Sequence, residues 1–378
     1  MRGKSLVVYL PDLAGGGVER IHINLAPHFL AAGLKLTFLL DRRAGSLVDK
    51  IPPGVDVHVL NASRQIAAIP RLVRYLQSHR VDCLLSNMEH ANVICVWARR
   101  LAGARTKIIA TQHNSFSDQV RRRSWKFKIL PQLYHWTLPS ADSIVCVSDG
   151  VARDLAKMCG LDRGRMRVIY NGVVTGDMKR LADEPVDHPW FTSGEPVLVA
   201  AGRLVKQKDY PTLLKAFAKL TKQKPSRLLI LGEGPLRGEL RALAKRLAIV
   251  DRVDMPGFVE NPLRYMRRAA AFVLASRFEG FGNVLAEAMA CGTPVVSTDC
   301  PHGPSEILDF GRYGRLAPPG QPDALAAAIL ATLNSPLRAE DLKSRAESFS
   351  ATQCALSYLS LFSDLIGHDA GGYAHGHG

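Results

Sequence analysis

The chain has 378 residues, 47% of them apolar, 22% charged and 7% aromatic; this excludes a disordered or fibrous polypeptide and leaves room for two domain cores of roughly 100–200 residues each. Its formal charge of +15 calls for an anionic partner, and nucleic acid, an acidic lipid surface and phosphorylated small molecules all meet that demand. No apolar run approaches the roughly 18–20 residues that cross a bilayer, so any membrane contact is expected to be peripheral.

The opening stretch has a basic head, but its apolar run from Leu6 to Leu10 is too short for a secretory signal and stops at Pro11-Asp12. It predicts a first strand. Short β-branched runs bounded by Gly, Pro and Asp then alternate with helical patterns, with strands expected near Leu6–Leu10, Lys35–Leu40, Val55–Leu60, Cys83–Ser86, Lys107–Thr111, Ser143–Val147 and Arg167–Tyr170. A hydrophilic segment from Asp177 to Pro189 breaks the alternation and reads as a linker. The pattern restarts at Pro196–Gly202 and continues through Arg227–Leu231, Val253–Met255, Ala271–Leu274 and Pro294–Ser297. The expected organisation is therefore α/β with parallel sheets, a first domain over residues 1–180, a second over 190–360, and a helix end with a flexible tail over 361–378. His375 and His377 in that tail read as inert or as weak metal ligands. The seven cysteines form no C-x-x-C pair and read as small buried hydrophobes in a reducing compartment.

The most informative segment is Ser276-Arg-Phe followed by EGFGNVLAEAMACGTPVV at residues 279–296. It reads as strand end, glycine loop, helix, glycine cap and strand, with Asn283 placed to cap the helix and Gly292 to end it. Gly280 and Gly282 let backbone come close to a ligand, and a helix start behind glycines suits a phosphate. Glu279 in the loop and Glu287 one turn inside the helix could each grip a diol; a plain amphipathic helix with solvated carboxylates fits the spacing equally. The Asp12–Arg20 turn carries Gly15, Gly16 and Gly17, but the third glycine of a dinucleotide fingerprint would fall at Arg20, which is too bulky. That argues against a nicotinamide-dependent oxidoreductase. No helix-turn-helix, zinc or RNP pattern supports nucleic-acid binding.

The Glu279-x₇-Glu287 pattern resembles the signature of the family 4, or group 1, retaining glycosyltransferases. Ala201-Gly202-Arg203-Leu204 with Lys208-Asp209, Leu231-Gly-Glu-Gly-Pro235 and Gly257-Phe258-Val259 resemble the turns that follow the first three strands of that family's second domain. The resemblance implies the GT-B fold, two Rossmann-like domains facing each other across a cleft, and a nucleotide-sugar donor, expected to be UDP-linked, with no other cofactor.

The same resemblance implies roles. Arg203 and Lys208 would clamp the diphosphate, Glu279 would hold hydroxyls of the donor hexose, and Glu287 the ribose diol. Backbone amides of Asn283, Val284 and Leu285, behind Gly282, would meet the phosphate, and Phe258 would lie beside the nucleobase. Gly16 and Gly17 would approach the diphosphate and acceptor, and His113, after the Thr111-Gln-His113 strand end, would contact the donor sugar; a satisfied core histidine is the other reading. No Asp-x-Asp triplet occurs in the chain, so fixed cations, not a metal, are expected to meet the charge on the departing phosphate. His302, Gly303 and Glu306 depart from the family's more usual Gly-Gly-x-x-Glu, which leaves donor contacts there open.

Between Gln119 and Trp136 cationic and aromatic residues interleave: Arg121, Arg122, Arg123, Trp125, Lys126 and Lys128. Such a segment suits an anionic membrane or a lipid diphosphate, and resembles the membrane-facing region of enzymes acting on lipid-linked acceptors; a solvated basic helix is the alternative. The expected activity is transfer of a hexosyl or N-acetylhexosaminyl unit to a lipid-linked saccharide at the cytoplasmic membrane's inner face, with a soluble small acceptor as the competing choice.

Overall fold

Runs such as Leu6–Leu10 and Cys83–Leu85 are apolar at every position, not at alternate ones, and each is buried throughout. Strands of that composition belong in parallel sheets covered on both faces. The computed structural model describes residues 1–62, 65–122 and 129–367 and divides the chain into two units: Met1–Gly172 together with the segment from Ala351, and Val173–Ser350.

Unit 1 holds β1 (Ser5–Leu10), β2 (Lys35–Leu40), β3 (Asp56–Val59), β4 (Cys83–Ser86), β5 (Lys107–Gln112), β6 (Ser143–Cys146) and β7 (Met166–Val168), joined by α1 (Gly17–Ala31), α2 (Gln65–Ser78), α3 (Glu89–Ala102), α4 (Phe116–Arg122), α5 (Leu130–Thr137) and α6 (Asp149–Cys159). All pairs are parallel in the order β3-β2-β1-β4-β5-β6-β7, so the order reverses between β1 and β4. A crevice outside the strand ends is expected at such a reversal.

Unit 2 begins with α7 (Met178–Asp183), inside the segment expected to be a linker. Met178 and Ala182 are buried, and Asn261 and Arg268 donate to the Leu181 and Ala182 carbonyls at 2.8 and 3.2 Å, so the segment is part of the unit. It continues through β8 (Val197–Ala201), α8 (Tyr210–Leu220), β9 (Arg227–Leu231), α9 (Arg237–Arg246), β10 (Val253–Gly257), α10 (Leu263–Arg268), β11 (Ala271–Leu274), α11 (Asn283–Ala290), β12 (Val295–Thr298), α12 (Pro304–Ile307), β13 (Arg315–Ala317), α13 (Pro322–Asn334) and α14 (Ala339–Ala346). Its parallel sheet runs β10-β9-β8-β11-β12-β13, with the reversal between β8 and β11.

Residues 351–360, expected in the second domain, lie in unit 1. They open α15 (Ala351–Gly367), whose Tyr358 and Phe362 rings lie 6.4 and 5.8 Å from the ring of Phe29 on α1. The apolar stripe Cys354, Ala355, Tyr358, Leu361 and Phe362 is buried in the unit 1 core. All seven cysteines are buried free thiols. Among the described residues no helix is long and apolar enough to cross a membrane. Residues 123–128 and the tail histidines lie outside the described residues, and the side chains of Arg121 and Arg122 are likewise not described.

Candidate active site

In unit 2 the reversal point gathers the loops after β8 and β11. Lys208 Nζ donates to Glu279 Oε1 at 2.6 Å, and Ser276 Oγ donates to the same oxygen at 2.6 Å. Glu279 is buried and Lys208 partly so; a carboxylate in that setting is held by its cation and its hydrogen bonds. Sequence reasoning singled out Lys208 and Glu279 separately, and the fold brings them together across 71 positions. Ser276 stood in the motif without a role.

Several bonds stitch these two loops to one another. Arg277 Nε donates to the buried Asp209 carboxylate at 2.9 Å, and its backbone amide donates to the Gln207 carbonyl at 2.8 Å. Gln207 Nε2 returns a bond to the Phe278 carbonyl at 3.1 Å. Asp209 also accepts from Thr212 Oγ1 at 2.9 Å at the start of α8. Neither Asp209 nor Arg277 was expected to matter; the aspartate's place beside Lys208 in the motif was the available signal. Burial, with Glu279 nearby, pushes the Tyr210 hydroxyl's pKa well up, and that hydroxyl donates to the Gly202 carbonyl at 3.1 Å.

Arg203 follows this turn and is exposed, with no carboxylate partner among the described residues. Lys208 is already paired with Glu279, so Arg203 is the cation of the two that stands unneutralised. Phe258 stands 73% exposed just past β10, its ring presented to solvent.

Helix α11 departs from expectation at its start. Gly282, with φ of 101°, is the N-cap, and Asn283 is the first helical residue. The Leu285 amide donates to the Gly282 carbonyl at 2.8 Å, so of the three amides expected at a phosphate this one is engaged within the turn. The end agrees with expectation: the Gly292 amide bonds Met289 and the Thr293 amide bonds Ala288, a Schellman closure with Gly292 at φ of 77°. Glu287 lies half-buried on the second turn. The Pro301–Gly303 loop packs on this segment, with the Glu279 amide donating to the Pro301 carbonyl at 2.7 Å and the His302 amide to the Glu279 carbonyl at 3.2 Å. Glu306 is buried, and its carbonyl accepts from Arg345.

Unit 1 carries a second constellation at its own reversal point. Asn87, directly after β4, turns Oδ1 to two imidazoles: His22 Nε2 on α1 at 2.6 Å and His113 Nε2 after β5 at 3.2 Å. The rings meet edge-on, 6.3 Å apart, and both are buried. A carboxamide oxygen accepts only, so both Nε2 atoms carry the proton, and both Nδ1 atoms are buried acceptors without a partner. Burial pulls His22 down to about 4 against the opposing Asn87 bond, and burial with His22 nearby pulls His113 down to about 3. Both are neutral at physiological pH. His113 was read from its strand end; His22 and Asn87 were missed, because a histidine inside a helix and a lone asparagine match no motif. Gly16 is the N-cap of α1 and Gly17 its first residue, and a Cβ at Gly16 would come within 2.4 Å of Glu19 Oε2. Among the described residues no group of three or more His, Cys, Asp or Glu side chains is gathered as a metal site would require.

Residues 188–349 match the family described as Glycosyl transferases group 1, and residues 15–177 match Glycosyltransferase Family 4. The chain belongs to the group 1 glycosyltransferases and has their GT-B fold. It is 28% identical over 327 residues, 83% of this chain and 86% of the other, to the Campylobacter jejuni N-acetylgalactosamine-N,N'-diacetylbacillosaminyl-diphospho-undecaprenol 4-alpha-N-acetylgalactosaminyltransferase. It is 23% identical to the N-acetyl-alpha-D-glucosaminyl L-malate synthase of Bacillus anthracis, over 98% of this chain and all of that one. The crystal structure of Anabaena HepE in complex with UDP and glucose superposes with a TM-score of 0.77 at 20% identity, covering 96% of this chain and 100% of that one.

Proposed function

We propose that this glycosyltransferase is metal-independent and retaining, and that it moves a hexosyl or N-acetylhexosaminyl unit from a UDP-sugar to a lipid-linked saccharide at the inner face of the cytoplasmic membrane. The observation that carries the donor reading is the Lys208–Glu279–Ser276 cluster at the strand reversal of unit 2, with Arg203 beside it. In this reading Arg203 and Lys208 meet the negative charge that grows on the departing diphosphate, and they need not reorganise to do so. Glu279 keeps a second oxygen for hydroxyls of the sugar, Glu287 takes the ribose diol, and the exposed Phe258 ring stacks on the base. The first turn of α11, from Asn283 and Val284 to Leu285, presents its positive end to phosphate.

From unit 1, His113 would contact the donor sugar, and the exposed Gly16 and Gly17 would leave backbone open to the diphosphate. The acceptor oxygen forms its bond to the anomeric carbon as the bond to phosphate breaks on the same face. Its proton passes to the departing phosphate oxygen. His113, held neutral, orients the sugar in this scheme and takes no proton.

The lipid-linked acceptor is supported by the name of the Campylobacter relative and by the +15 charge. A soluble acceptor is favoured by one observation, the full-length likeness to an enzyme named for L-malate. A thermal-shift panel of UDP-, GDP- and ADP-sugars tests the donor, since a ligand bound only by the folded state raises its stability. UDP-sugars should stabilise; Glu287→Ala should weaken that shift and Arg203→Ala should mainly lower turnover. Wild-type behaviour of both variants, or strict dependence of turnover on an added divalent cation, overturns the assignment.

A further inference from the structure

Of the eleven exposed large apolar side chains among the described residues, four fall on two neighbouring helices of unit 1 and a fifth, Ile129, is the N-cap of the second. Trp97 and Leu101 lie one turn apart on α3, and Leu133 and Trp136 follow at helical spacing along α5 from its N-cap Ile129. Trp136 is 74% exposed, Leu101 63% and Ile129 56%. Trp97 Nε1 donates to Thr137 Oγ1 at 3.2 Å, which joins the two stripes into one face.

Guanidinium groups edge this face. Arg100 lies 5.9 Å from the Trp97 ring centre and donates to Ser140 Oγ, and Arg165 donates to the Pro139 carbonyl at 3.0 Å. Neither has a carboxylate partner among the described residues, whereas nearby Asp142 is already bonded to Arg99 and Lys107. A groove of about 360 Å³ opens beside Trp136, walled by Pro139, Leu161 and Arg165.

We propose that this α3–α5 face docks unit 1 on an anionic lipid bilayer, its indoles and aliphatic side chains entering the interface and Arg100 and Arg165 meeting headgroup phosphates. Indoles and aliphatics flanked by two guanidiniums without carboxylate partners match a headgroup boundary, where apolar and charged groups are both satisfied. A second copy of the chain is the poorer occupant: a two-fold contact would set the arginine rims, and two chains of +15 each, against one another. The purpose of the docking rests on the lipid-linked acceptor reading; the docking itself does not.

The test is co-sedimentation of the full chain with vesicles of phosphatidylcholine alone or with added phosphatidylglycerol, without donor or acceptor. The wild type should pellet with the anionic vesicles, and the combined Leu101→Ser, Leu133→Ser and Trp136→Ser variant should bind at least about fivefold less. Arg100→Glu with Arg165→Glu should lose the preference for anionic over neutral vesicles. All these side chains are at the surface, and an unchanged melting curve confirms that the variants fold. Unchanged partitioning of both variants overturns the proposal. So does a wild-type dimer in light scattering that the serine variant converts to monomer without any change in vesicle binding. Because the vesicles hold no acceptor, docking without transfer to lipid-linked saccharides would sink the acceptor reading alone.

Discussion

One carboxamide oxygen, that of Asn87, serves two imidazoles, and this sets the protonation of both. Their burial makes the charged form costly, so each histidine adds stability that is complete above its unfolded pKa of about 6.5 and is lost as the pH falls toward the depressed folded values near 4 and 3. Lowering the pH from 7 to 5 should therefore cost about 2 kcal/mol for each histidine. Urea midpoints across that range should drop for the wild type and flatten for His22→Gln with His113→Gln; parallel slopes would refute the coupling. Lys208→Met poses the complementary test in unit 2. It leaves the buried Glu279 carboxylate with Ser276 but without its cation, a loss expected to cost roughly 3–5 kcal/mol and most of the turnover. Denaturant titration beside a donor-binding assay separates the two effects. At this scale the sequence was legible where a residue sat in a motif, as Lys208, Glu279 and His113 do. Asn87 and His22 were not, since their meaning comes from strand order, which puts the ends of β1, β4 and β5 side by side.

The loops after β8 and β11 act as one element because Arg277, Gln207 and Asp209 bind them together. A third loop, Pro301–Gly303, joins them through its two backbone bonds with Glu279 and through close contact. Gly303 has φ of 86°, and a Cβ there would fall 2.2 Å from the Phe281 carbonyl oxygen, so Gly303→Ala must push the donor loop away. Gly320 has a similar φ of 72° with nothing within 4 Å, and Gly320→Ala measures the backbone penalty alone. The first should cost about 1–3 kcal/mol more than the second and weaken donor binding. Equal melting temperatures for the two variants would remove the steric argument. The strand and helix pattern was readable nearly throughout, but β13 was not, because three residues, Arg315–Ala317, offer no run to detect. The start of α11 was misjudged at Asn283, a good capping residue type by composition, because the left-handed Gly282 had already turned the chain.

At the scale of the molecule, the last helix belongs with the first. The apolar stripe of α15 announces a buried helix, but a stripe cannot say which core it completes, and the boundary expected near residue 360 falls at Ser350/Ala351 instead. Burying Tyr358, Leu361 and Phe362 is worth roughly 5–8 kcal/mol, comparable to the whole stability of a domain. A chain stopped after Ser350 should therefore keep a cooperative melt for unit 2 and lose that for unit 1, as calorimetry would show; two intact transitions would contradict this.

The two ends of unit 2 lie side by side, since the Phe349 carbonyl accepts from both the Val173 and Val174 amides. On the ribosome this imposes an order of events. The inserted half is fully translated and free to close before the segment that finishes the half begun first has emerged, so the Phe29 face of α1 waits, uncovered, until Tyr358 and Phe362 have been made. A chaperone that shields apolar surface would find its target there, and release would come with α15.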